Sequence, residues 1–251
     1  MRLLEPLTPD PRAPLARAHP LAKIAAALVL MSALFLTIDL ITPTLVLVVE
    51  IAAIPLIGIP PRGLLRRALP VFVGAIGIGF FNALLSGNVA GGVAIGIRLV
   101  GIALAGIVAI ASIDPTDLAD ALTEHLHTPP RFTVGALAAF RLMPLFADEW
   151  ETIALARRAR GLDDARGPLS RVTGFFAMTQ SLLVATIRRA TRLALAMDGR
   201  GFALGSPCRT VARPRPIVAR DWALIAASFA VAALASAVSI ALGSWRFFLA
   251  R

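Results

Sequence analysis

Two ionisable residues stand inside apolar stretches of the sequence and are the first candidates for chemistry. Glu50 and Arg98 each lie nine residues after the start of such a stretch. A charge at the centre of a bilayer costs at least about 2.5–3.5 kcal/mol, so charges there are usually functional or paired. Equal depth, about 13 Å from the start of each helix, and opposite charge predict an ion pair. A proton or ion pathway is the alternative.

A second candidate is a short pattern that occurs twice. The segments Ala159-Arg160-Gly161 and Gly199-Arg200-Gly201 each follow a long stretch with helical periodicity. Arginine in a last helical turn interacts favourably with the helix dipole, and glycine adopts the left-handed conformation that ends many helices. Capping explains one such ending, whereas two of them, closing two helices of similar length in one region, are less easily explained by capping alone.

Signatures of catalysis are largely missing from the sequence. The single lysine, Lys23, lies in no glycine-rich loop, so we expect no nucleotide-binding P-loop in this chain. His125 and His127 are two residues apart, which places them on different faces of a helix. The single cysteine, Cys208, allows no internal disulfide and no cysteine-rich metal site. We therefore expect no catalytic residue, no metal and no cofactor.

The composition is that of an integral membrane protein. Of the 251 residues, 57% are hydrophobic and 16% are charged, and the mean hydropathy is +0.79. Ordinary soluble domains have about 45–50% apolar and about 25% charged residues. The net charge of +10 could indicate nucleic-acid binding. In so apolar a chain it better fits cytoplasmic loops beside anionic lipid headgroups, and we expect no nucleic-acid partner.

Five stretches are apolar and long enough to cross a bilayer, which needs about 20 helical residues. They are residues 21–38, 41–59, 69–85, 89–113 and 222–243. The predicted fold is therefore an all-α, polytopic membrane protein, with residues 1–113 forming a membrane domain of four spans and 221–251 the last span and tail. The first span follows a polar, proline-rich segment and is expected to be retained rather than cleaved as a signal.

Basic residues predict the orientation of these spans. If the N-terminus is cytoplasmic, the cytoplasmic regions hold 22 of the 25 lysines and arginines. The opposite loops, around Asp39 and Asn88, hold none. The positive-inside rule therefore places the N-terminus and residues 114–220 in the cytoplasm, and the protein in the cell (inner) membrane.

Residues 114–220 are too charged to span the bilayer and too regularly patterned to be a loop. The first of three predicted helices covers about 114–126 and begins at Asp114-Pro115, an N-cap acid followed by proline at the first position. The others cover about 132–160, with a kink at Pro144, and about 169–200. Both are predicted to be amphipathic and roughly 40–45 Å long. Residues 206–216 are expected to form a linker.

With these motifs the chain resembles the transmembrane (T) component of energy-coupling factor (ECF) transporters, which are ABC-type importers of vitamins and of cobalt or nickel ions. Members of this family carry two Ala-Arg-Gly-type motifs at the ends of two cytoplasmic coupling helices. Ala159-Arg160-Gly161 matches in full, and Gly199-Arg200-Gly201 differs by glycine for alanine. The segments Ile113–Leu118 and Phe140–Pro144 resemble the family's approach to the first motif.

The resemblance implies a non-catalytic coupling subunit. Two ABC-type ATPase subunits would supply ATP hydrolysis, and a small membrane protein, the S component, would bind the substrate. The coupling helices would lie across the ATPase pair with Arg160 and Arg200 at the contact. Motion of the ATPases would then pass to the membrane spans, which lie in the lipid bilayer and hold the S component.

Two other functions compete with this interpretation. A self-contained secondary transporter or channel would use Glu50 and Arg98 and would need no ATPase. A membrane-embedded enzyme acting on a lipid or isoprenoid would need clustered acidic or histidine residues. The acids of this chain are scattered, apart from Asp148, Glu149 and Glu151, which fit the solvated face of a helix. The secondary transporter gives no reason for the long patterned insert.

Overall fold

The computed structural model describes residues 13–162, 167–201 and 216–243, without the side chains of Pro130, Arg131 and Pro168. All regular elements in this part of the chain are helices, which confirms the all-α prediction. Cys208 and nearly all of the predicted linker lie outside the described residues. The chain divides into two compact units, Met1–Leu126 with Pro214–Arg251 (unit 1) and His127–Arg213 (unit 2).

The described part of unit 1 contains five apolar helices and one short polar helix. They are α1 (Pro20–Leu36), α2 (Ile41–Ile57), α3 (Pro61–Ser86), α4 (Val89–Ala111), α5 (Pro115–His125) and α8 (Ala219–Ala241). Helix α4 is central, because it packs against α1, α2 and α3, while α8 packs against α1 and α2.

Glycine allows a close contact between α3 and α4. A Cβ on Gly79 of α3 would lie 2.8 Å from the backbone oxygen of Gly92 on α4. Small residues at such positions let two helix backbones approach, as is common in membrane bundles.

Two buried carboxylates hold the last helix parallel to the first. At the end where α1 and α8 begin, the proximal end, the backbone N–H of His19 donates to Asp221 Oδ1 at 2.8 Å. At the opposite, distal end, the hydroxyl of Ser239 donates to Asp39 Oδ2 at 2.6 Å. Because helices α1 to α4 alternate in direction, α2 and α4 begin at the distal end.

Helix length separates the five apolar helices into two groups. By length and composition, α3, α4 and α8 are long and apolar enough to cross a membrane, with 26, 23 and 23 residues. Helices α1 and α2 are apolar but have 17 residues each, about 26 Å, at the lower limit for spanning. Three of the five predicted spans thus coincide with helices that are long and apolar enough to cross a membrane, and membrane crossing by each of the five stays a prediction.

The third span differs from its prediction at the start. Helix α3 begins at Pro61 rather than at residue 69, so it includes the three basic residues Arg62, Arg66 and Arg67. The apolar stretch on which the prediction depends begins only after these arginines. Proline at a first helical position, however, favours a helix start at Pro61. The added turns lie at the proximal end.

Local capping agrees with the predicted helix boundaries. Asp114 Oδ1 accepts from the backbone N–H of Thr116 at 2.7 Å and caps α5, whose first residue is Pro115. The side chain of Asn88 caps α4 by accepting from the N–H of Gly91 at 3.0 Å. Such caps bond N–H groups that have no partner within the helix.

Unit 2 contains the two long helices α6 (Pro130–Ala159) and α7 (Pro168–Gly199). Their bounds lie within two residues of the predicted ones. Helix α6 continues through Pro144, and the bend predicted there stays a prediction. At 100° per residue, Leu145 lies about 140° around α6 from Phe140, so the apolar side chains of α6 are not confined to one stripe. The amphipathic prediction fits α7 better than α6.

Candidate functional site

The end of α6 forms a complete Schellman motif. Gly161 has a φ of +68°, the left-handed conformation. Its N–H donates to the carbonyl of Arg158 at 2.9 Å, and the N–H of Leu162 donates to the carbonyl of Arg157 at 3.1 Å. These two bonds use carbonyls that the helix leaves without internal partners. Arg160 is therefore the C-cap residue, held in a defined backbone conformation with its side chain exposed.

The end of α7 repeats this geometry as far as it is described. Gly201 has a φ of +73°, and its N–H donates to the carbonyl of Asp198 at 2.9 Å. Arg200 is the exposed C-cap residue. The next residue, Phe202, lies outside the described residues. The glycine that replaces alanine, Gly199, is the last residue of the helix, with open space around its Cα.

Contacts within unit 2 show that α6 crosses α7. The rings of Trp150 and Phe175 lie 5.5 Å apart, and Arg189 Nη1 donates to Glu149 Oε2 at 3.0 Å. Two adjacent residues of α6 thus reach positions on α7 that are 14 residues, about 21 Å, apart. If the two helices were aligned side by side, adjacent residues of α6 would contact neighbouring turns of α7. The axes of α6 and α7 therefore cross at a large angle.

This crossing separates the two arginines. Arg157 Nη2 lies 3.8 Å from the position of a Cβ on Gly174, so the end of α6 lies near the first half of α7. Arg200 is 26 residues farther along α7 from Gly174, about 39 Å. Arg160 and Arg200 therefore occupy two distant corners of unit 2 and could contact two different surfaces.

Arg98 makes a different contact from the one predicted. Its Nη2 donates to the backbone oxygen of Phe35 at 2.8 Å, and its guanidinium carbon lies 5.7 Å from the centre of the Phe35 ring. Phe35 is in the last turn of α1, where carbonyls lack helical partners and the dipole favours a cation.

The predicted Glu50–Arg98 ion pair is therefore wrong. Side chains on a helix point back toward its N-terminus, and α4 begins at the distal end, so Arg98 extends distally toward α1. Glu50 lies instead beside Gly101, whose Cβ position is 3.9 Å from Glu50 Oε2. Glu50 is 8% exposed, and neither carboxylate oxygen has a hydrogen-bond partner among the described residues. It lines a cavity bounded by α1, α2, α4 and α8.

Sequence reasoning missed the two carboxylates that connect α8 to the first helices. Asp39 Oδ2 accepts from the N–H and the hydroxyl of Thr42, at 2.8 and 2.6 Å, as well as from Ser239. The Asp39-x-x-Thr42 spacing is a local helix-capping signal, so the contact between these two residues can be predicted from the sequence. The bond to Ser239, 200 residues away, has no local signal.

His19 and His125 take structural positions. The ring of His125 lies 4.9 Å from that of His19, edge to face, at the proximal end of unit 1. His19 Nδ1 accepts from the N–H of Leu21 and caps α1. In the part of the chain that the structure describes, no group of three His, Cys, Asp or Glu residues could hold a metal ion.

The two Arg-Gly ends and the helices before them fall within a known protein family. The family model described as cobalt transport protein, CbiQ, matches residues 11–210. The chain belongs to the CbiQ family. The match includes α1 to α7 and both exposed arginines.

Curated relatives specify the kind of transporter subunit. The energy-coupling factor transporter transmembrane protein EcfT of Heliobacterium modesticaldum is 28% identical over 85% of this chain and 89% of its own length. EcfT of Bacillus subtilis is 29% identical over 62% of each chain, and EcfT of Staphylococcus aureus is 32% identical over 44% of each chain. The chain thus spans about half the length of several relatives that it matches. It is a T component of ECF transporters, as the motifs predicted, and an integral membrane protein.

Proposed function

We propose that this T component couples two ABC-type ATPase subunits to a small substrate-binding membrane protein, the S component, in an importer of a vitamin or transition-metal ion. Arg160 and Arg200 are the contact residues for the ATPases. ATP hydrolysis takes place in those partners, and the crossed helices of unit 2 transmit their motion.

The observation that carries this proposal is the pair of exposed, rigidly capped arginines at distant corners of unit 2. A Schellman motif fixes the backbone on both sides of Arg160, so its side chain starts from a defined position. A fork of N–H donors at such a position suits a carboxylate acceptor on a partner. Two such corners, separated by most of the length of α7, suit two ATPase subunits better than one.

Exposed apolar side chains on unit 2 support a protein partner. Phe140, Phe176 and Leu195 are 58%, 65% and 66% exposed, although they lie on helices rich in charge. Several large exposed apolar side chains on charge-rich helices are consistent with an interaction surface. The amphipathic α7 would bind with its apolar face in a partner groove, a common mode of helix recognition.

The charge distribution supports a cytoplasmic position for unit 2 and for the proximal end of unit 1. With that orientation, 22 of the 25 basic residues face the cytoplasm. ATP and its hydrolysing subunits are in the same compartment, so the arginines and their proposed partners can meet.

Co-expression tests this function directly. The chain is produced with two ATPases and an S component, and the membrane-extracted complex is isolated through a tag on the T component. We expect both ATPases to co-purify and substrate uptake to require intact ATP hydrolysis. Uptake by this chain alone, driven by an ion gradient, would contradict the proposal and support the self-contained transporter.

A further inference from the structure

Unit 1 contains an elongated cavity between α1, α2, α4 and α8. Its volume is about 440 Å³, within the range of small-molecule sites. Along α8 the lining extends from Arg220 to Val231, about 16 Å, and along α4 from Leu104 to Ser112, about 12 Å. The cavity therefore runs along the helices, and most of its wall is aliphatic.

Charged groups stand at the two ends of this cavity. Glu50 is at the deeper end, beside Gly101 of α4. At the proximal end, Lys23 Nζ donates to the carbonyl of Ser112 at 2.8 Å, and Arg220 also lines the wall. A ligand with an anionic group would therefore place that group at the proximal end, away from Glu50.

A second cavity adjoins the first at its basic end. It has a volume of about 530 Å³ and is lined by Arg17 and Arg220 among small and apolar residues. Leu15 and Arg220 line both cavities, so the two spaces meet at these residues. An apolar slot thus leads into a basic chamber at the membrane boundary.

We propose that the two cavities together bind one anionic phospholipid, with an acyl chain in the slot beside Ala227 and Leu104 and the phosphate between Arg17 and Arg220. The slot has the shape and aliphatic wall of a chain site, and the chamber has the charge that a phosphodiester needs. Arginine binds phosphate oxygens through paired N–H donors. This inference concerns unit 1 and is independent of the proposed ATPase contact.

Native mass spectrometry of the full chain in detergent tests the site. Delipidated protein is offered equal amounts of phosphatidylglycerol and phosphatidylcholine with the same acyl chains. We expect phosphatidylglycerol to be retained about tenfold more strongly. Both lipids present the same phosphodiester, but the quaternary ammonium of phosphatidylcholine would be repelled by the two arginines, whereas the neutral glycerol headgroup would not. The Arg17→Gln, Arg220→Gln double variant should retain both lipids equally, and Arg220→Lys should keep a preference.

A cavity-filling pair of variants tests the acyl-chain slot. Ala227→Phe, whose side chain enters the slot, should lower retention of both lipids. Ala230→Phe, on the same helix but outside the cavity lining, should not. Equal binding of the two lipids by the unmodified chain would overturn the proposal, as would equal effects of the two phenylalanines. The proposal would also be overturned if Glu50→Gln lost lipid retention while the arginine variants kept it. That result would indicate that the cavity binds an amphiphile with a cationic headgroup.

Discussion

Arg98 and Glu50 illustrate how side-chain direction decides a contact that depth alone does not. Both residues lie the same number of residues after the start of their helices, and the two helices are parallel. Arg98 nevertheless reaches a carbonyl of α1, whereas Glu50 faces the cavity. A long arginine side chain can carry its charge several ångströms along the helix axis, and the bond from Arg98 to the last turn of α1 places that charge toward the distal end. Sequence reasoning identified both residues and the helices that carry them, but not this direction.

A charge swap tests the revised contact. Because Arg98 interacts with α1 and not with Glu50, the double variant Glu50→Arg, Arg98→Glu should be no more abundant in the membrane than the worse single variant. Additive losses are expected for residues that do not interact. Arg98→Lys, which keeps a donor for the Phe35 carbonyl, should lose less than Arg98→Glu. Abundance is measured by detergent extraction and size-exclusion chromatography, and recovery in the double variant would restore the ion-pair hypothesis.

The stability of the last turn of α6 should depend on glycine at position 161, because Gly161 is in the left-handed conformation. A left-handed conformation costs a residue with a Cβ roughly 1–2 kcal/mol, so Gly161→Ala should destabilise the last turn by about that amount. Gly135→Ala, inside the same helix with open space around it, should stabilise α6 by about 0.5–1 kcal/mol. The amide of Leu162, which bonds to Arg157, reports the effect by hydrogen exchange. Unchanged exchange at Leu162 in Gly161→Ala would argue against the Schellman geometry.

At the scale of the element, caps explain why most helix boundaries could be predicted. Asp114-Pro115 at the start of α5 and the glycines after Arg160 and Arg200 are local signals with a definite backbone geometry. Boundaries without a capping residue are harder to predict from the sequence. The predicted start of α3 lies where the apolar residues begin. The helix itself starts earlier and includes three arginines, because its backbone hydrogen bonds and a favourable first residue are enough to form it.

The packing of α3 on α4 gives a prediction with a matched control. A Cβ on Gly92 would lie 2.6 Å from the Cβ of Ala83 and 2.9 Å from the backbone nitrogen of Ala83, so the two helices would have to separate. Gly92→Ala should therefore destabilise unit 1 by roughly 1–3 kcal/mol. Gly74→Ala, on α3 with open space around it, should be neutral or stabilising. Thermal unfolding in detergent compares them, and equal midpoints would contradict the close contact.

At the scale of the whole molecule, composition and charge predicted the class of protein, while long-range contacts stayed hidden. The basic residues are unevenly distributed along the chain, and this pattern is readable without a structure. The bond from Ser239 to Asp39 and that from His19 to Asp221 join residues about 200 positions apart. A single sequence has no periodicity or spacing that links such positions, so the parallel placement of α1 and α8 required the structure.

The single cysteine offers a test of orientation. If residues 114–220 are cytoplasmic, a membrane-impermeant thiol reagent should label Cys208 in inside-out vesicles and not in intact cells. As the control, Asn88→Cys in a Cys208→Ser background should be labelled in intact cells, because the loop at Asn88 lies on the opposite side. Labelling of Cys208 from outside would reverse the proposed orientation and remove the ATPases from reach of Arg160.

Coupling through Arg160 and Arg200 is the central claim, and co-purification of the ATPases with charge-reversed variants tests it most directly. If the arginines only cap their helices, lysine should serve equally, since the dipole interaction is worth about 0.3–1 kcal/mol and depends on charge. If they bind carboxylates on the ATPases, Lys is weaker and Glu repels. Arg188→Glu, at an exposed arginine in the interior of α7 and 12 residues before Arg200, is the matched control.

We predict that Arg160→Glu and Arg200→Glu reach the membrane in normal amounts but lose ATPase association and uptake, whereas Arg188→Glu keeps both. Arg160 should be the more sensitive, because Gly199 gives the end of α7 more freedom. Normal ATPase association and normal uptake in both helix-end variants would contradict the account and leave Arg160 and Arg200 as ordinary helix caps.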